Sequence, residues 1–141
     1  MLQRLTLAAL LAAATLGAQN TGTVTPVGPG CGPELKVTFA PVGSHNKLTL
    51  EVANAFPREK VFSIWGFTPL SFSFPNGCTL YNDFVWGTSA VADATGYSSF
   101  ARAWPNSIPG FFRIQYVAVR VDANGNLDWR LSNGVLVECK P

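Results

Sequence analysis

Histidine and methionine each occur once in the 141 residues, and cysteine occurs three times. Charged side chains make up only 13% of the chain and nearly cancel, ten Lys and Arg against eight Asp and Glu. With so little net charge there is no electrostatic footprint for nucleic acid or an anionic lipid surface. No apolar period of 3.6 residues persists over three turns beyond residue 18. That removes the crossover helices a parallel sheet needs. The one long apolar run is shorter than the roughly 20 residues a membrane-spanning helix requires. Apolar residues are nonetheless 48% of the chain and Phe, Tyr and Trp 12%, which argues against disorder.

That apolar run has a recognisable order. Met1-Leu2-Gln3-Arg4 is a short basic start, residues 5–16 are Leu, Ala and Thr, and Gly17-Ala18 supplies small residues before Gln19. Charge, apolar run and small-residue site together predict a secretory signal peptide over residues 1–18, cleaved after Ala18. The alternative is a buried N-terminal helix. No Cys follows the run, so the segment is not of the lipoprotein kind. Cleavage removes Arg4 and leaves nine basic against eight acidic side chains, a net charge of +1. The chain is expected to be secreted or at the cell surface, extracellular or periplasmic. No membrane anchor is expected in the mature chain.

Residues 19–33 are rich in Gly, Thr and Pro and predict an extended lead-in, ordered only if something ties it down. Residues 34–141 read as one domain of short strands. Lys47-Leu48-Thr49-Leu50-Glu51-Val52 alternates and places Leu48, Leu50 and Val52 on one face. Residues 60–67, 70–74, 79–86, 97–104, 111–121, 127–131 and 135–139 are rich in β-branched and aromatic residues. Turn signals separate the runs: Pro41-Val42-Gly43, Asn76-Gly77, Thr95-Gly96, Pro109-Gly110, Asn124-Gly125 and Asn133-Gly134. Residues 111–121 are apolar on both parities, which suits a central strand covered on both sides or one carrying a bulge. These patterns predict an all-β fold, an antiparallel β-sandwich of about seven to nine strands.

Export would put Cys31, Cys78 and Cys139 in an oxidising compartment, so one disulfide is expected, with one thiol left over. Several stretches in order carry a resemblance. They are Gly30-Cys31-Gly32, Val52-Ala53-Asn54-Ala55-Phe56-Pro57, Asn76-Gly77-Cys78-Thr79-Leu80-Tyr81, and Ala92-Asp93-Ala94-Thr95-Gly96. Pro105-Asn106-Ser107, Gln115 and Leu131-Ser132-Asn133-Gly134-Val135 complete the set. The chain resembles a family of short secreted β-rich domains of unassigned function from planctomycetes and related bacteria. The resemblance implies an antiparallel sandwich and a Cys31–Cys78 bridge, and it implies no reaction. Cys139 departs from the family pattern, which keeps Cys31–Cys139 open as the alternative pairing.

Catalytic patterns are sparse. A Ser or Cys nucleophile needs a base within reach, usually His. His45 lies in Gly43-Ser44-His45-Asn46, which reads as an exposed turn. Glycoside hydrolysis needs two facing carboxylates. Glu34, Glu51, Glu59, Asp83, Asp93, Asp122, Asp128 and Glu138 sit mostly at strand ends or on polar faces, and no pair stands out. Asp122-Ala123-Asn124-Gly125-Asn126-Leu127-Asp128 has alternating oxygens like a calcium loop. Leu127 stands where that loop needs Gly, and Asn133 where it needs Glu. Asn124-Gly125 predicts a hairpin instead. No catalytic residue, metal or cofactor is expected.

The unusual investment is aromatic. Trp86, Trp104 and Trp129 each lie near the end of a strand run and are the candidate ligand-binding residues, with Trp65 the fourth tryptophan. The expectation is a non-catalytic binding or cell-surface structural domain. Its partner would be an extracellular ligand, carbohydrate or a cell-surface protein, with no nucleic acid. A carbohydrate-binding module would be marked by two or more aromatic rings lying coplanar and exposed, and a small hydrolase needs His45 or an acidic pair in a pocket.

Overall fold

A computed structural model describes residues 21–43, 45–105 and 110–140. The expected signal peptide, its cleavage point and most of the Pro109-Gly110 turn lie outside the described residues. Eleven strands follow one another: β1 (Thr21–Val27), β2 (Glu34–Val42), β3 (His45–Ala53), β4 (Lys60–Gly66), β5 (Pro69–Ser73), β6 (Thr79–Asn82), β7 (Trp86–Val91), β8 (Ser98–Pro105), β9 (Gly110–Val121), β10 (Leu127–Leu131) and β11 (Gly134–Lys140). Every pairing is antiparallel. The described residues contain no helix.

One sheet has the order β1-β11-β9-β4-β7, with β10 also on β9. A second has the order β2-β3-β8, and β5-β6 is a separate hairpin. Alternation along β9 explains the layering. Phe112, Ile114, Tyr116 and Ala118 point inward, beside Trp65 and Val61 of β4 and Val135 and Val137 of β11. Leu48, Leu50 and Val52 of β3 close this core from the other sheet, on the single face that their alternation predicts. Each of those three is at most 1% exposed, so burial of their apolar surface drives the two sheets together.

Gln115, Val117 and Val119 point to the other face of β9. Only part of that face is covered, by the β5-β6 hairpin. Gln115 makes the attachment: its side-chain oxygen accepts from the Tyr81 amide at 3.0 Å, and its side-chain nitrogen donates to the Thr79 carbonyl at 2.8 Å. A second donation, to the Ser132 carbonyl at 2.7 Å, uses the other N–H, so both donors of the amide are satisfied. The disulfide joins Cys31 to Cys78, with Cα atoms 5.0 Å apart. Cys31 also takes up the Leu131 edge, donating its amide to the Leu131 carbonyl at 2.8 Å. The bridge therefore pins the start of β6 beside the end of β10. Cys139 is a buried free thiol, and burial raises its pKa, which disfavours the reactive thiolate.

Several expectations change. The described residues form eleven strands rather than seven to nine. The lead-in contains β1, tied down along its whole length by β11. Residues 79–86 do not form one strand: β6 stops at Asn82 because the Asp83 carboxylate turns to cap the Phe67 and Thr68 amides at 2.7 and 2.8 Å. β7 then begins at Trp86. It is built of Gly, Thr, Ser, Ala and Val after Trp86, a composition with weak strand preference except at Thr88 and Val91. Asn133-Gly134 does not reverse the chain. β10 and β11 run along the same edge of β9, and the register steps from Leu131↔Val117 to Val135↔Ile114, one residue too many on the outer strand. That is a β-bulge. The Asn133 side chain is committed elsewhere, accepting from the Leu35 amide at 2.8 Å and donating to the Leu35 carbonyl at 3.0 Å.

Asn124-Gly125 does form the hairpin between β9 and β10. Gly125 takes φ 82°, and the Asp122 carboxylate accepts from the Asn124 and Asn126 amides at 2.8 Å each. His45 is the first residue of β3, half-buried and opposite Val42. Pro41 and Val42 belong to the preceding strand rather than to the turn.

Candidate functional site: an aromatic slot and an outer groove

The register brings two of the three candidate tryptophans together. Trp86 on β7 lies opposite Trp65 on β4, and Trp65 lies opposite Ile114, so both rings are on the inner side at one end of the sandwich. Their ring centroids are 4.5 Å apart and their planes differ by 13°. Trp104, from the end of β8, packs on Phe112 at 5.0 Å, and Phe112 in turn packs on Trp65 at 5.3 Å. Phe67 and Phe111 meet edge to face at 6.4 Å beside them. The rings enclose a slot of about 240 Å³.

Trp65 is buried, and its indole N–H donates to Ser63 Oγ at 2.8 Å. Ser63 Oγ also accepts from the Thr88 amide at 2.9 Å and meets the Thr88 hydroxyl at 2.8 Å. This network fixes Trp65 in its rotamer and makes it a rigid base for Trp86. Stacking covers one face of Trp86, so the 36% of the residue that remains exposed lies on its other face and rim. Trp86 and Trp104 are not a coplanar exposed pair; one stacks on the core and the other is half-buried in it.

Trp129 is elsewhere. It pairs with Val119, on the outer face, and its ring stands edge-on to Phe74 at 4.8 Å. With Ile64, Leu80 and Val117 it lines a shallow hollow of about 250 Å³. A larger groove of about 420 Å³ lies alongside, lined by Phe62, Ile64, Phe84, Val117 and the small residues Gly87 and Ser89 of β7. Phe62, Phe84 and Phe67 were not among the candidate residues, because none stands out within its apolar run. The signal available was that residues 111–121 are apolar on both parities: a strand with two apolar faces and only one covering sheet leaves an open face.

Five of the acidic side chains, Glu51, Asp83, Asp93, Asp122 and Asp128, are occupied in turns and surface pairs. Hydrogen bonds from Tyr97 to Glu51, from the Thr68 amide to Asp83, from Thr95 to Asp93 and from the Asn126 amide to Asp122 each hold the carboxyl below its ordinary range. Asp128 pairs with Arg120 at 2.9 Å and Arg130 at 3.6 Å. A general acid at neutral pH needs the opposite shift. Among the described residues no three His, Cys, Asp or Glu side chains gather as a metal site would require, and no helix is long and apolar enough to cross a membrane. No family model, curated protein or solved structure matches the chain.

Proposed function

We propose that the chain is a secreted, non-catalytic binding domain of the short β-rich kind it resembles, and that, without the coplanar exposed pair of a flat sugar platform, it takes a single carbohydrate ring against Trp86. The observation that carries this reading is the stack: a ring on an edge strand, backed at 4.5 Å by a buried ring held in place by its own hydrogen bond. Such a ring meets a ligand's apolar face without losing rotamer freedom on binding. The slot beside it has aromatic walls suited to the C–H faces of a pyranose. Secretion accords with the leader-like residues 1–18 and with the presence of a disulfide.

The test is titration with soluble hexasaccharides of β-1,4-linked glucose, N-acetylglucosamine and xylose, followed by calorimetry and tryptophan fluorescence. At least one should bind. Trp86→Ala should abolish the binding, and Trp129→Ala should leave it intact. Absence of binding by all three, or binding untouched by Trp86→Ala, overturns the reading.

A further inference from the structure

We propose that the free edge of β7 docks one extended, uncharged segment of a partner protein as an added strand, with a bulky apolar side chain of that segment seated in the outer groove. This goes beyond the carbohydrate reading and uses the opposite side of the sheet. Among the described residues β7 pairs only with β4, and all six of its residues are exposed. An unpaired edge presents a row of backbone donors and acceptors, and proteins usually blunt such edges with charge, proline or a bulge.

The other edges here are blunted. β1 carries Pro26, β2 carries Lys36 and Pro41, β8 carries Arg102, and β10 carries Asp128 and Arg130. β5 begins with Pro69 and pairs irregularly. The outer edge of β6 is taken up by Gln115. Trp86-Gly87-Thr88-Ser89-Ala90-Val91 has none of these devices. Among the described residues this unguarded edge also borders the groove of about 420 Å³. In strand addition, backbone pairing supplies affinity and a pocket for alternate side chains supplies specificity, and both parts are present along β7.

The groove selects the occupant. No ionisable side chain lines it, so a charged segment would lose its solvation without gaining a partner. Phe84, 69% exposed, and Phe62 form apolar walls. The register puts Gly87, Ser89 and Val91 of β7 on this side, opposite Ile64, Phe62 and Lys60. A second copy pairing through its own β7 would bring only Gly, Ser and Val to the groove and leave it unfilled. A partner strand with Phe or Leu at one outward position fills it.

The probe is a capped hexapeptide of alternating Thr and Phe, with a capped Thr-Ser hexapeptide as control. Hydrogen exchange should slow at the amides of Gly87, Ser89 and Val91, which alternate with the Thr88 amide already given to Ser63, when the Thr-Phe peptide is added, and not with the control. Ser89→Lys, at an exposed position, should keep the melting temperature and weaken binding at least about tenfold, the loss expected from setting a charge against an apolar side chain. Ser89→Ala should bind as the parent does. Saccharide binding should survive Ser89→Lys, which separates this proposal from the one at Trp86. The proposal is overturned by unchanged exchange at Gly87, Ser89 and Val91, by Ser89→Lys binding as tightly as the parent, or by peptide-free protection that rises with protein concentration and marks a dimer.

Discussion

The two faces of β9 are sealed by different means. Its inner face meets a second sheet, and the contact is made by aliphatic and aromatic side chains buried to within a few per cent. Its outer face meets a two-stranded hairpin, and the contact is made by one glutamine, one disulfide and a handful of rings. The inner seal rests on area and the outer one on specific bonds. Area-based sealing tolerates no opening, whereas a hairpin fastened at two points leaves grooves on either side of its fastenings. Both outer hollows, sharing Ile64 and Val117, lie where that fastening stops.

The comparison breaks most sharply if the outer fastening is cut. Replacing both Cys31 and Cys78 by Ala frees a loop with a sequence separation of 47 residues. Chain entropy puts the loss at about 4 kcal/mol. Urea unfolding of the double variant measures it. Exchange at β5 and β6 amides should rise before that of β3 and β9, because the bridge holds the hairpin rather than the core.

Next in size is the contrast across β9 itself. Ile114, fully buried on the inner face, should cost about 3–4 kcal/mol on truncation to Ala through lost burial and the cavity left behind. Val117, which lines the outer hollows and is only half-buried, should cost about 1 kcal/mol on the same change, since its surroundings are already open. Equal losses would mean that the outer face is as tightly packed as the inner.

These two residues show what the sequence can and cannot reveal. The alternation Leu48, Leu50, Val52 and the double-sided apolar run of β9 were enough to predict a two-layered all-β fold, because register ties every alternate side chain to one face. Asn124-Gly125 was enough for its hairpin. Asn133-Gly134 was not, because the same dipeptide lies at a bulge where the asparagine bonds Leu35 across the sheets. β7 was invisible because Gly, Ser and Ala have weak strand preference, and its pairing with β4 is long-range. Trp86 and Trp104 were legible as candidates. Their union with Trp65, and the separation of Trp129, depend on which parity of each strand faces inward, and that is set by the neighbouring strands.

A pH prediction sharpens the inner side alone. Burial pushes the Tyr116 phenol up to about 12, from an ordinary value of 10.0, with a hydrogen bond to Ser63 opposing in part. The folded state therefore favours the neutral phenol. That stabilisation is complete below pH 10 and is lost as pH rises from 10 towards 12, a change of about 2–3 kcal/mol. Tyr116→Phe cannot ionise, so its stability should decline less over the same interval. Parallel declines in parent and variant, followed by denaturant unfolding at each pH, would remove Tyr116 from the inner seal.

The last effect is at the outer fastening's polar half. Gln115→Met keeps the side chain's length and apolar stem but removes both ends of the amide. Three backbone groups lose their partner: the Tyr81 amide and the carbonyls of Thr79 and Ser132. A buried group left unpaired costs about 1–3 kcal/mol. The first two lie on β6, at the margin of a hairpin that can lift towards water, so relief is available there. Ser132 is fully buried and has less scope to recover solvent. The net loss should therefore be about 2 kcal/mol, closer to one unpaired group than to three. The disulfide still holds the start of β6, so the variant should fold, with exchange raised at Tyr81 and Asn82 and unchanged at Leu50 and Ile114. Raised exchange throughout the molecule would show that Gln115 supports the core as well as the hairpin, and the two faces of β9 would then be sealed as one.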